Sequence, residues 1–429
     1  MIVAPSAGDA AGGQTIAREA ARAETPHRSA GRIDSIDTLR ALAMSAVIAE
    51  HCHILPFGWI GVWLFFVISG FVVSTSLLSR PSAEERRPGP LLGQFYVRRA
   101  ARIWPIYLGY VLVGFVVSGL ADGHFQWSVL ASLVFFYNNF QSAFATGEFA
   151  NFPVGHLWTI AVEFQFYIVY GLAFALLPAR GLKWLLASML VLSPVLRYAG
   201  GVWLQAAGFD PLRAAFAIYS FSAMHFDSFA AGALLALGRE TWSRRSNALG
   251  LFAFGAAVFA AYCAVYVLVN RAHGAVGAGM FKNVISGILI GDLRQVWLYS
   301  VVAALSAGVL AITIADVPFW RRVTRVPLLQ LVGRVSYGGY VYHACCIWLL
   351  DEPVRRVLRT GPSLASHVVF GVVLFAIALP ATVAVAWVSY RYVERPIIAA
   401  VGRWLKRAAP APAHTPPEPA TGAAGSVEV

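Results

Sequence analysis

The segment "DTLRALAMSAVIAEHCHIL" (residues 37–55) reads as one apolar helix, yet it carries Arg40, Glu50, His51 and His53. Arg40 and His51 are eleven positions apart. In a helix that spacing comes within about 20° of three full turns and rises about 16 Å. Both side chains therefore share one face, too far apart to touch. A polar pair satisfied inside a bundle is the plainer alternative, but ionisable groups at membrane depth mark pathways and relays by default. An imidazole titrates close to neutral pH and suits the removal of a proton from an attacking hydroxyl. His53 is rotated about 200° from His51 in a continuous helix and is expected to face elsewhere, and Glu50 only flanks the pair.

Four further stretches hold groups capable of chemistry. "HLWTIAVEFQFYIVY" (156–170) places His156, Thr159 and Glu163 on one helical stripe. "FYVRRAARIWPIY" (95–107) brings Arg98, Arg99 and Arg102 within about a turn, with Pro105 opening a span. Such a cluster either anchors anionic lipid and sets orientation or clamps phosphates bidentately, and spacing alone favours the anchor. "HFDSFAAGALLALG" (225–238) adds His225 and Asp227, and "GRVSYGGYVYHACCIWL" (333–349) adds Arg334, Ser336, Tyr337, Tyr342 and His343. The four cysteines lie in apolar runs without metal or redox spacing, so no metal site is expected.

The elements that must position these groups follow from composition. Of 429 residues, 58% are hydrophobic and 13% charged, against roughly 25% charged in soluble domains. Runs of about twenty apolar residues cross membranes as helices. Such runs lie near 36–55, 58–79, 105–121, 127–144, 156–178, 181–199, 215–238, 248–269, 297–315, 330–350 and 366–390. The net charge of +12 resides largely in short loops and tails, where it sets orientation, so nucleic acid is discounted. The loop with Arg80, Arg86, Arg87, Arg98, Arg99 and Arg102 then faces the cytoplasm. If 127–144, with its polar "FYNNFQ", dips in and returns, most later basic loops also face inward. The expected fold is an all-α polytopic membrane protein with about ten transmembrane helices, 127–144 re-entrant and both termini cytoplasmic. It comprises a membrane domain over 33–400, a disordered tail over 1–32 and a Pro/Ala-rich disordered tail over 401–429.

Taken together, six motifs in order resemble the acyltransferase-3 family of integral membrane acyltransferases. They are Leu39-Arg40 followed at His51, then "GVWLFFVISGF" (61–71), "FYVRRAARIWPIY", "HLWTIAVEFQFY", "GRVSYGGYVYH" and "ERP" (394–396). The resemblance spans about Asp34 to Ile397. It implies transfer of an acyl group, commonly acetyl from acetyl-CoA, to a hydroxyl of a sugar-containing acceptor, in the cell (inner) membrane. It implies Arg40 and His51 as the paired essential residues, with Glu163 at the family's acidic position. Arg98, Arg99 and Arg102 become candidates for the donor's phosphates, and His156, Tyr337 and His343 further site candidates. Phe164 replaces the second acid of the family's Glu-Glu-Gln-Phe run and leaves Glu163 intact. Trp63 stands where the family often has a polar residue, which implies a different acceptor or a reshaped pocket. Acyl-CoA is then a substrate, and no permanently bound cofactor is expected. Buried His, Glu and Arg also describe a proton-coupled secondary transporter, although no two related halves are visible in the chain.

Overall fold

The computed structural model describes residues 34–79, 87–144, 148–358 and 363–408. The tail over 1–32, the C-terminal residues beyond 408, and Arg80, Arg86 and Arg359 lie outside the described residues. Among the described residues every regular element is helical. In chain order the helices used below are α1 (Asp34–His51), α2 (Ile60–Leu78), α3 (Pro88–Asp122), α4 (Trp127–Val134), α5 (Asn138–Phe144), α6 (Trp158–Leu176), α7 (Ala179–Ala206), α8 (Pro211–Ser220), α9 (Phe226–Leu237), α10 (Arg245–Ala272), α11 (Arg294–Ile314), α12 (Pro318–Thr324), α13 (Pro327–Arg334), α14 (Ser336–Leu358), α15 (Leu364–Ser389) and α16 (Arg395–Ala408).

Among the described residues seven helical stretches are long and apolar enough to cross a membrane: α2, α3, Gly155–Leu176, α7, α10, α11 and Ala365–Arg407. The chain is thus a multi-pass helical protein by length and composition. The outward faces of these helices carry the expected apolar surface, with Val191, Val265, Leu268 and Val369 more than half exposed. That surface suits lipid rather than water. α1 and α14 are also long, at 18 and 23 residues, but their acids, histidines and arginines keep them out of the purely apolar set.

Two of the apolar runs are broken rather than continuous. Segment 127–144 is two short helices, α4 and α5, parted at Phe136 with φ of +56°. The run over 215–238 breaks between α8 and α9. The two breaks meet. Asn139 Nδ2 donates to the Ser220 carbonyl at 3.1 Å and to Ser222 Oγ at 2.9 Å. Gln165 Nε2 donates to the Phe136 carbonyl at 2.7 Å and to Asn139 Oδ1 at 3.0 Å, and Ser222 donates to Gln165 Oε1. Irregular backbone at membrane depth survives only when protein groups satisfy it, and this network does so. Of the polar side chains in "FYNNFQ", Asn139 belongs to this network.

α2 forms the centre, packed on α1, α9 and α11. Its approach to α9 depends on two glycines: a Cβ on Gly70 would lie 2.0 Å from the Phe229 carbonyl oxygen, and one on Gly232 would lie 1.9 Å from that of Val67. Small residues of this kind let membrane helices touch backbone to backbone. Trp63 is fully buried, stacked on Tyr299 at 5.0 Å and edge-on to His225 at 5.0 Å. It belongs to the aromatic core. Two boundaries differ from the sequence reading. Pro105 lies inside the continuous 35-residue α3, and helix persists through α16 to Ala408, past the tail boundary at 400.

Candidate active site

α1 joins two ends of the molecule, and its two notable side chains serve different cavities. At one end a broad cavity of about 470 Å³ is lined by Asp37, Arg40, Arg102, Arg334, Tyr337 and Glu394, with hydroxyls from Thr75, Ser76 and Ser79. It shares Arg40, Val72, Arg102 and Tyr337 with a narrower cavity of about 80 Å³ that runs on to Ser69, Arg99, Thr159, Glu163, Tyr167 and Tyr340. At the other end a cavity of about 550 Å³ is lined by His51, His53, Glu148, His156, Trp348, Asp351 and Glu352. Arg40 and His51 therefore lie on one helix, as the spacing implied, but at opposite mouths.

The cationic end is held by side chains with defined partners. Arg40 Nη1 pairs with Asp37 Oδ1 at 3.1 Å. The Arg99 guanidinium lies over the Tyr167 ring, 5.3 Å from its centroid, a cation–π contact. Glu163 Oε1 accepts hydrogen bonds from both Ser69 Oγ and Tyr167 Oη. The Glu163 carboxylate is thus fixed at the inner end of an arginine-lined passage. Tyr337 donates its hydroxyl to the Ile103 carbonyl at 2.8 Å, which ties α14 to the arginine helix. Arg98 is exposed and lines none of these cavities, so the arginine cluster divides, with Arg99 and Arg102 inward and Arg98 outward.

The histidine end gathers His51, His156 and His343. Ring centroids of His51 and His343 are 5.0 Å apart, and those of His156 and His343 are 4.8 Å apart. A carbonyl can only accept, so each contact to one fixes which ring nitrogen carries hydrogen. His343 Nδ1 donates to the Tyr340 carbonyl at 2.6 Å, and His156 Nε2 donates to that of Val341 at 3.0 Å. The opposite atoms, His343 Nε2 and His156 Nδ1, are buried lone pairs without partners. Among the described residues no group of three His, Cys, Asp or Glu side chains is placed to hold a metal ion. The lone pair of His156, which lines the cavity, suits a hydroxyl hydrogen.

A thin partition separates the two ends. Thr159 Oγ1 donates to Tyr340 Oη at 2.8 Å, and Tyr340 Oη donates to the His156 carbonyl at 3.1 Å. Tyr337, Tyr340 and His343 recur every three residues along α14, a stripe that the sequence displays but that needs the neighbouring helices to acquire meaning. Ser69, which the sequence shows only as part of the "GVWLFFVISGF" motif, is a hydrogen-bond donor to Glu163. His53, expected to face elsewhere, lines the same cavity as His51. The helix ends at His51, and the chain turns with His53 at φ of +63°, so helical phase no longer applies. His225 and Asp227 are structural: Asp227 pairs with buried Arg197 at 2.9 Å, and His225 bonds the Ile218 carbonyl at 2.9 Å. Trp63 lines none of these three cavities, although Val62 beside it lines the narrow one.

Residues 33–391 match the family model for an acyltransferase domain, acyltransferase-3. The chain is similar to the peptidoglycan O-acetyltransferase OatA of Listeria monocytogenes, 28% identical over 392 residues that cover 85% of this chain and 56% of the relative. It is similar to the O-acetyltransferase OatA of Staphylococcus aureus, 22% identical over 386 residues that cover 85% of this chain and 57% of the relative. The chain thus spans little more than half the length of these relatives. No solved structure matches.

Proposed function

The chain belongs to the acyltransferase-3 family, and on that premise we propose that it is a membrane O-acetyltransferase that moves an acetyl group from acetyl-CoA to a hydroxyl of a sugar-containing acceptor. The observation that carries this reading is the pair of opposed cavities along α1, one lined by arginines and the other by histidines. Acyl transfer from a thioester to an alcohol needs a base for the hydroxyl, a partner for the carbonyl oxygen, and exclusion of water. Arg40, Arg99 and Arg102 supply bidentate donors for phosphates, and the narrow cavity leads an acyl arm inward to Glu163 and the partition. On the far side His51 takes the acceptor proton or relays the acetyl group, with the lone pair of His156 in the same cavity free to accept from a neighbouring hydroxyl of the acceptor.

Coenzyme A is cytoplasmic and too charged to cross lipid, which puts the Arg40 end at the cytoplasm. The seven apolar spans, with α1, α14 and the α8–α9 pair, make ten, provided that α4 and α5 enter and return on one side. At about 12 Å or less, each of those two helices is too short to cross alone. Both termini are then cytoplasmic. Among the arginines that this count leaves on the far side, two are paired within α14, Arg355 with Asp351 at 2.5 Å and Arg356 with Glu352 at 2.6 Å.

The name of the Listeria monocytogenes relative, a peptidoglycan O-acetyltransferase, supports a glycan acceptor. Mass spectrometry of surface glycans from cells with and without the protein tests this. Loss of acetyl esters from one glycan class in the deletion strain identifies the acceptor, whereas unchanged acetylation of every surface glycan contradicts the proposal.

A further inference from the structure

The broad cavity holds one buried acid that the donor reading has not used. Glu394 lies at the end of the π turn Tyr390–Glu394, which joins α15 to α16. It is 5% exposed and lines the cavity with Arg40, Arg102 and Tyr337. Its Oε1 is buried and has no hydrogen-bond partner, although Arg102 lines the same cavity. Leaving a buried carboxylate oxygen unpartnered is costly, and three features maintain it. The π turn inserts a residue and resets the face that the helix presents, a device that recurs at functional sites. The turn also carries Glu394 inward while Arg391, Tyr392, Val393 and Arg395 are exposed. Opposite it stands Gly338, where a Cβ would come within 3.2 Å of Glu394 Oε1.

The chemistry of the cavity limits what Oε1 can meet. Phosphate oxygens belong at the arginines, and a carboxylate repels them. The partner must then be an N–H or O–H from another part of the same ligand. Glu394 abuts Gly338, the neighbour of Tyr337, and Tyr337 lines both the broad and the narrow cavity. Glu394 is thus level with the neck through which a donor's arm would pass. In a coenzyme A thioester, the part between the phosphates and the sulfur is the pantetheine arm, whose amides carry N–H groups. We propose that Glu394 accepts a hydrogen bond from an amide N–H of the donor's pantetheine arm at the neck between the cavities, and so sets donor affinity and specificity. This inference rests on the acyl-CoA reading above.

The test compares acetyl-CoA with acetyl-pantetheine, which keeps the amides and lacks the nucleotide, as donors for the full-length protein in proteoliposomes. Glu394→Leu is expected to raise KM about tenfold for both donors, the scale of a lost hydrogen bond to a charged group. Its kcat stays within about twofold of wild type, because binding lost equally from ground and transition states moves KM alone. Glu394→Gln, which keeps a carbonyl oxygen, is expected to restore most of the affinity for both donors. A KM that rises for acetyl-CoA and not for acetyl-pantetheine assigns Glu394 to the nucleotide and overturns the proposal. A fall in kcat with KM unchanged overturns it as well. If Glu394→Leu does not fold, Gly338→Ala, which presses a methyl against Oε1, must raise both KM values, and unchanged values there refute the inference. Wild-type protein that turns over neither donor overturns the acyl-CoA reading and this inference with it. Wild-type turnover with unaltered Glu394→Leu kinetics overturns this inference alone.

Discussion

His343 donates its Nδ1 hydrogen to the Tyr340 carbonyl at 2.6 Å, which leaves Nε2 as the one basic atom of a buried ring. His343→Asn keeps a donor near that carbonyl and deletes the lone pair. Acetyl transfer should fall about 10²-fold, the lower end of what lost acid–base help costs, while the melting temperature in detergent changes little. Turnover equal to wild type would show that the lone pair is idle.

The division of the arginine cluster makes its own prediction. Arg102→Ala should raise KM for acetyl-CoA by the equivalent of about 1–3 kcal/mol, the worth of a charge-assisted hydrogen bond. Arg99→Ala should behave similarly and also lose its contact with the Tyr167 ring. Arg98→Ala, exposed and away from the cavities, should leave donor KM unchanged. Equal effects at all three positions, accompanied by altered membrane orientation, would favour lipid anchoring over phosphate binding.

Glu163 bears on stability as well as on the site. Glu163→Leu strands the Ser69 and Tyr167 hydroxyls that donate to it, and a buried unsatisfied donor costs about 1–3 kcal/mol. Denaturation in detergent should show a loss on that scale, with Glu163→Gln milder. If the Leu variant is as stable as wild type, those two bonds contribute no net stability.

Topology can be read with single cysteines in a background lacking Cys52, Cys263, Cys345 and Cys346. With α4 and α5 re-entrant, Glu148→Cys is labelled by a membrane-impermeant reagent in intact cells, and Arg244→Cys only after permeabilisation. The reverse pattern would mean that the 127–144 segment crosses.

What the sequence revealed and what it hid divide along physical lines. The shared face of Arg40 and His51 was legible because helical phase is a local property, and α1 is a regular helix over that interval. His53 was misread for the same reason, since phase means nothing once the helix has ended at His51. The break between α8 and α9 was invisible. No Gly or Pro marks "SFS" at 220–222, and the groups that satisfy it, Asn139 and Gln165, come from distant helices. Ser69 and Tyr340 stood out no further than their motifs because their partners, Glu163, Thr159 and the His156 carbonyl, are long-range neighbours. Glu394 was quoted only as part of a motif, and its burial depends on the π turn.

The most direct measurement follows free thiol released from acetyl-CoA, together with acetyl ester formed on a glycan acceptor, by the protein in proteoliposomes. If His51 is the base or relay, wild-type protein produces thiol and ester in equal amounts. His51→Ala then loses both by at least about 10²-fold while it remains folded and inserted, and His53→Ala changes turnover only mildly. His51→Ala turnover within about threefold of wild type, a difference too small for loss of a catalytic base, would contradict the assignment.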